Sequence, residues 1–224
     1  MPQDEALVKQ WALALRLIAD MAEFTESSCL EVGRRIQCSE DMLVKMWKKH
    51  SGTAESFYKD NETYLYDLVD FNAHVAYFHY KLGPLTALRD CTVLDIGCGL
   101  GTLVFMLADQ ENMAMGYEIN QKLVDFCRFR KAKYGLGGDF VTELPDIGNF
   151  DVITAIDTLE HIEHLGDFLA PLGEKMRVGT RLYHYDSFNG QRNHPMHFDH
   201  SSNIDGYLEN AGFDVLNPLV AVRR

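Results

Sequence analysis

Cysteine is scarce in this chain. There are five among 224 residues (Cys29, Cys38, Cys91, Cys98 and Cys127), an odd number with no C-x-x-C pair. That pattern argues against a disulfide framework and against a thiolate zinc site. Reduced thiols suit the cytoplasm. Basic residues are also short: 21 Lys and Arg against 33 Asp and Glu, a formal net charge of −12. A broad phosphate-backbone interface needs a basic patch, so nucleic acid is a disfavoured partner. A nucleotide-sized ligand is not excluded. The most basic run, Arg128-Phe129-Arg130-Lys131-Ala132-Lys133, reads as the solvated end of a helix, with cations near its C-terminus. No apolar run reaches the roughly 18 residues of a membrane span. Asp4 and Glu5 near the start do not fit a positive-then-apolar signal pattern. The expectation is a cytoplasmic chain that does not enter a membrane. No internal repeat or low-complexity segment is present.

What remains is 46% hydrophobic, enough for a sizeable core in one domain or one domain plus a cap. Residues 1 to about 85 read as helical. Leu7, Trp11, Leu13, Leu15, Leu17, Ile18 and Met21 recur at roughly helical spacing. Ser39 is placed as the N-cap of a helix through Asp41–Trp47. An aromatic-rich segment, Tyr64 to Leu82, stops at Gly83-Pro84. From Asp90 the pattern alternates. Strands are expected at Thr92–Ile96, Met113–Ile119, Phe140–Thr142, Phe150–Ile156, Arg181–Asp186, Phe213–Leu216 and Leu219–Val222. Helices fill the gaps near 102–109, 121–133, 164–177 and 203–211. This is an α/β pattern, a seven-strand mostly parallel sheet with helices on both faces and an antiparallel end, preceded by an N-terminal helical cap.

Residues 93–103, Val-Leu-Asp-Ile-Gly-Cys-Gly-Leu-Gly-Thr-Leu, are the most informative stretch. A strand turns through Gly97, Gly99 and Gly101 into a helix. Glycines there leave no Cβ in a ligand's way, and the helix start presents unpaired N–H groups. Glu118 follows 21 residues after Gly97, at the end of the second strand. A carboxylate there can accept from both hydroxyls of a ribose. The dinucleotide fingerprint G-x-G-x-x-G is missed at Thr102. Asp95, two residues before the first glycine, is awkward beside a pyrophosphate and suits a cationic ligand with an amino group.

Leu94-Asp95-Ile96-Gly97-Cys98-Gly99-Leu100-Gly101 resembles the first motif of class I S-adenosylmethionine-dependent methyltransferases, which have a Rossmann-like fold. Tyr117-Glu118-Ile119-Asn120 is similar to that family's ribose-binding strand end. Asp139-Phe140, then Leu144-Pro145 and Phe150-Asp151-Val152-Ile153, resemble its "GDxxxLP…FD" stretch. Asp157-Thr158-Leu159-Glu160-His161 resembles its "LEH" ending of the fourth strand. His197-Phe198 with Tyr207–Phe213 is similar to the tail of its small-molecule members. The resemblance covers roughly residues 86–224, with residues 1–85 as cap or lid. It implies that Gly97, Cys98, Gly99 and Gly101 pack against the cofactor and that Glu118, with Ile119 beside it, holds the ribose. It also implies that Asp139 accepts from the adenine amino group beside the Phe140 N–H. Asp157 and Leu159 would then line the floor below the sulfonium. Gly135-Leu136-Gly137-Gly138 departs from the family's apolar third strand, which weakens the Asp139 assignment.

Six of nine histidines fall between residues 161 and 200. Three readings compete for them. His161 or His197 is a general base for the acceptor. Alternatively Asp157, Glu160 and His161, with a later histidine, hold a divalent metal. Or the rings only pack and cap. Tyr58, Tyr64, Tyr66, Phe71, Phe78 and Tyr80 are offered as aromatic walls, although helical aromatics are more often core. Trp11 and Trp47 read as packing residues. The expected function is transfer of a methyl group from S-adenosylmethionine to an O or N nucleophile of a small molecule, leaving S-adenosylhomocysteine. The alternatives are a metal-assisted RNA 2′-O-methyltransferase and a cofactor-binding protein without transferase activity. Homodimerisation stays open.

Overall fold

A computed structural model describes residues 2–73, 81–188 and 194–224. The expectations placed on the side chains of Leu7, Trp11, Phe78, Tyr80, Arg192 and Asn193 lie outside the described residues. Four helices come first: α1 (Pro2–Phe24), α2 (Cys29–Trp47), α3 (Ala54–Asp60) and α4 (Tyr64–Asn72), followed by a 3-10 turn at Gly83–Leu85. Ser28 caps α2 by accepting from the Glu31 N–H at 3.2 Å. Thr53 caps α3 by accepting from the Ser56 N–H at 3.2 Å. Ser39 is therefore not a cap. It lies inside α2 on the same buried face as Val32 and Leu43. Its hydroxyl donates to the Ile36 carbonyl and to Asp67.

The sheet contains β1 (Thr92–Ile96), β2 (Met113–Tyr117), β3 (Asp139–Val141), β4 (Val152–Ile156), β5 (Arg181–Tyr185), β6 (Phe213–Asn217) and β7 (Val220–Arg223). Their order is β3-β2-β1-β4-β5-β7-β6. The first five are parallel, and β7 runs antiparallel to both β5 and β6. Interleaved are α5 (Thr102–Asp109), α6 (Gln121–Tyr134), α7 (Leu165–Lys175) and α8 (Ile204–Asn210). The strand order reverses between β1 and β4, so the crevice at their carboxyl ends is where such sheets take ligands. β4, all five residues buried, carries the centre of the core. One apolar layer packs α7 and α8 against the sheet, and the other packs α5 and α6.

A third apolar cluster joins Leu17, Met21, Val32, Leu65 and Val69 of the N-terminal helices to Leu100, Leu123 and Phe126. Beside it lies a correction to the sequence reading. The basic end of α6 is not simply solvated. Arg130 is only 6% exposed. It pairs with Asp20 of α1 at 3.3 Å and donates to the Leu100 carbonyl at 3.0 Å. Lys133 also reaches Asp20, at 2.9 Å, and Glu23, at 2.6 Å. A run of charges carries no mark of which one a neighbouring helix will cover.

Candidate functional site

The loop after β1 requires its glycines. Gly97, Gly99 and Gly101 all have positive φ, at 71°, 51° and 72°. A Cβ on Gly97 would meet the Thr158 hydroxyl at 2.5 Å, and one on Gly101 the Phe140 ring at 2.7 Å. Gly101 is also the N-cap of α5. β2 ends at Tyr117, two residues earlier than expected, because the next residue turns toward this loop. The Glu118 carboxylate accepts from the Gly99 N–H at 3.2 Å and from the Asn120 N–H at 3.0 Å. Burial raises its pKa, and those backbone donors partly restore the charge. Asn120 caps α6 by accepting from the Lys122 N–H. Its amide nitrogen donates to the carbonyls of Tyr58 and Asn61, which docks the end of α3 beside the start of α6.

These residues border a cavity of about 590 Å³. Gly97, Cys98, Gly99, Glu118 and Ile119 line it, as do Asp157, Glu160, His161, Met196 and His197. α3 and α4 contribute Tyr58, Tyr64 and Phe71 from above. Tyr66 points elsewhere and hydrogen-bonds Arg35. Trp47 packs edge-on against Phe57. The cavity is lined by seven carboxyl side chains, Glu55, Asp67, Glu118, Asp157, Glu160, Glu163 and Asp167. Among the described residues, no Lys or Arg lines it.

Other expected positions fall off the wall. Asp95 is buried between β1 and β4, where the Thr154 hydroxyl donates to it at 2.7 Å. Burial pushes its pKa up to about 7, and the nearby Glu118 adds to this. Asp139 does not reach the cavity. It opens β3, at the opposite end from the ligand crevice, and its exposed carboxylate pairs with Lys131 at 2.7 Å. The short glycine-rich approach puts the strand one residue early, leaving Val141 at the crevice end, where its carbonyl accepts from the Glu118 N–H. The Phe140 ring is buried against Gly101 and Phe105, and Leu159 is buried in the core. Gly101 likewise supports the loop from behind.

Asp157 has φ 50° and is gripped through both oxygens by the Lys81 ammonium. Lys81 lies over the Phe71 and Tyr185 rings, at 4.5 and 5.0 Å from their centroids. Nothing in the sequence pattern marks Lys81. His161 lies in a 3-10 turn after β4. Its Nδ1 shares a hydrogen bond with the Tyr58 hydroxyl, and its Nε2 lies 3.4 Å from the Tyr64 hydroxyl. The His197 ring stands edge-on to it at 4.5 Å and stacks on His194 at 4.9 Å. Burial, then the neighbouring histidines, hold His161 well below its ordinary pKa. The same causes lower His197 to about 4. Burial pushes the Tyr58 phenol far up. Both imidazoles are therefore neutral at pH 7, and Tyr58 keeps its proton. Among the described residues, no group of three or more His, Cys, Asp or Glu is placed to hold a metal ion. No described helix is long and apolar enough to cross a membrane.

The site suits an adenosine-bearing, cationic cofactor. It offers a buried carboxylate at the end of β2, a loop with glycine at every second position and, among the described residues, a wall without Lys or Arg. Comparison with known proteins agrees. Residues 88–186 match the family model described as "Methyltransferase domain". The ubiquinone biosynthesis O-methyltransferase of Nitrosococcus oceani is 28% identical over 97 residues, 41% of this chain and 41% of that protein. The tRNA U34 carboxymethyltransferase of Shewanella frigidimarina is 30% identical over 107 residues, 44% of this chain and 32% of that one. The chain thus spans less than half the length of these two relatives. The magnesium protoporphyrin IX methyltransferase of Synechocystis PCC 6803, solved with bound SAM, shares the fold at TM-score 0.53 and 19% identity. That alignment covers 93% of this chain and 97% of the other.

Proposed function

We propose, on the premise that residues 88–186 carry the domain of class I S-adenosylmethionine-dependent methyltransferases, that this chain methylates an oxygen or nitrogen nucleophile of a small molecule. One observation carries the reading: the Gly97–Gly99 turn, Glu118, His161 and His197 border a single cavity. S-adenosylmethionine, when bound, supplies a methyl group on a positively charged sulfur. Glu118 would hold the ribose hydroxyls, with Cys98 and Ile119 beside it and Asp157 at the floor. Residues 1–85 act as a cap over the core at 86–224, and α3 and α4 exclude water from the acceptor. In a dry, closed pocket, alignment supplies much of the rate.

His197, held neutral, has a buried Nδ1 with no hydrogen-bond partner among the described residues, which can meet an acceptor N–H or O–H, and His161 reaches the acceptor only where it displaces the long Tyr64 contact. Tyr58 and Tyr64 fix the His161 ring through its two nitrogens. The relatives named for ubiquinone biosynthesis and for tRNA U34 take different acceptors. A wall without Lys or Arg among the described residues supports the small-molecule side, because a phosphate chain would meet carboxylates there.

Calorimetry with S-adenosylmethionine, S-adenosylhomocysteine and NAD tests the reading. The first two are expected to bind and NAD not to; preference for NAD sinks it. With an acceptor in hand, His161→Ala is expected to slow transfer by about 10²-fold or more, with S-adenosylhomocysteine affinity kept. Unchanged turnover would remove His161 from the chemistry.

A further inference from the structure

Three of the cavity's carboxylates are already accounted for: Glu118 at the proposed ribose position, Asp157, neutralised by Lys81, and Asp67, which accepts from the Ser39 hydroxyl. Four more line the wall: Glu55, Glu160, Glu163 and Asp167. Acids at a cavity mouth are ordinary solvated charge. Glu160 is different. It is 1% exposed. Its Oε1 accepts from the Ser187 N–H at 3.1 Å. Its Oε2 is buried with no hydrogen-bond partner among the described residues. A carboxylate oxygen withdrawn from water without a donor is costly, and an incoming N–H donor with positive charge removes that cost. Among the described residues, no protein cation is placed to do this. Lys81 is committed to Asp157, and the neighbouring histidines His161 and His197 are neutral. Tyr58, Tyr64 and Phe168 also line the wall, and aromatic rings can attract cations.

From this geometry we infer that the methyl acceptor is a small molecule bearing a basic amine, whose ammonium group is taken up at Glu160. The inference rests on the methyl-transfer reading and narrows its acceptor from oxygen or nitrogen to nitrogen. Burial, reinforced by the nearby Asp186 and Asp157, pushes the Glu160 carboxyl up to about 8, so a cation alongside is what holds it ionised, and its raised basicity suits it to take a proton from that cation. An ammonium nitrogen has no lone pair to attack with. It first passes one proton to the Glu160 carboxylate. The freed lone pair then forms the N–C bond to the methyl carbon as the C–S bond breaks, and that bond's electron pair stays on sulfur. The nitrogen leaves as a methylated ammonium, and the Glu160 proton returns to solvent. Neutral His197, whose Nδ1 has no partner among the described residues, serves this path as a hydrogen-bond acceptor for the amine, and no strong base is required of it.

The test is calorimetry on the full chain saturated with S-adenosylhomocysteine. The probes are 2-phenylethylamine and tryptamine, with 2-phenylethanol and 3-phenylpropionate as neutral and anionic counterparts. At least one amine is expected to bind about tenfold or more tighter than both counterparts, the scale of one hydrogen bond to a charged group. Glu160→Gln is expected to erase that preference and leave S-adenosylhomocysteine affinity unchanged. Equal binding of alcohol or acid, no binding of either amine, or an undiminished preference in Glu160→Gln overturns the inference. Should that variant fail to fold, the wild-type probe series decides alone. If S-adenosylhomocysteine itself does not bind, the methyl-transfer reading fails. The amine preference is then read on the chain without it, so the two failures remain distinct.

Discussion

Glu118→Ala is expected to weaken S-adenosylhomocysteine binding about 100-fold. A hydrogen bond to a charged group contributes about 1.5–3 kcal/mol, and a ribose offers two hydroxyls to this carboxylate. The full sum is not available to the ligand. Within the protein both Glu118 oxygens already accept, one from the Gly99 N–H and one from the Asn120 N–H. Part of each new bond replaces an old one. A net loss of about 3 kcal/mol corresponds to roughly 100-fold in affinity. Glu118→Gln, which keeps the shape and one acceptor oxygen, should fall between the variant and wild type. Calorimetry reads the affinity, and circular dichroism confirms that the fold is retained. An unaltered dissociation constant in Glu118→Ala would remove the ribose from this position.

The largest stability effect is expected at Asp20. Its side chain is fully buried and receives Arg130, Lys133 and the Tyr134 hydroxyl. Removing one partner of a buried pair strands the other charge and costs about 3–5 kcal/mol. For a chain of this size each kcal/mol lowers the melting midpoint by about 2–4 °C, so Asp20→Ala should melt on the order of 10 °C lower. The double variant Asp20→Leu with Arg130→Met should recover much of that, because an apolar pair leaves no charge unpartnered. If Asp20→Ala melts within a degree or two of wild type, the pair contributes little to stability. If the double variant is worse than the single, desolvation is not what governs the site.

Features written into one continuous stretch are legible in the sequence. β1, its three glycines and Glu118 at the next strand end follow from local backbone needs, because positive φ demands glycine and a strand end needs a turn. The alternation of strands and helices over residues 90–224 follows likewise from apolar runs and breakers. Features decided by what a distant segment covers are not legible. Ser39 has the chemistry of a cap, yet Ser28 starts the helix earlier and α4 covers Ser39 through Asp67. Asp139 has the right neighbours in sequence but lies at the wrong end of a short strand. Arg130 looks like its exposed neighbours until α1 crosses it. Lys81 and the orphaned Glu160 oxygen emerge only once residues far apart in the chain meet around one cavity.

The cluster that joins α1, α2 and α4 to Leu100, Leu123 and Phe126 has a bearing on cooperativity. Leu17, Met21 and Phe126 are fully buried, and each is covered partly by the other segment. Asn120 adds a polar tether, with one amide holding the carbonyls of Tyr58 and Asn61. A chain cut near residue 85 would bare that apolar surface and leave the Asn120 amide without acceptors. The N-terminal helices are thus not a detachable module, and the smallest autonomous folding unit extends well beyond the matched domain into residues 1–85.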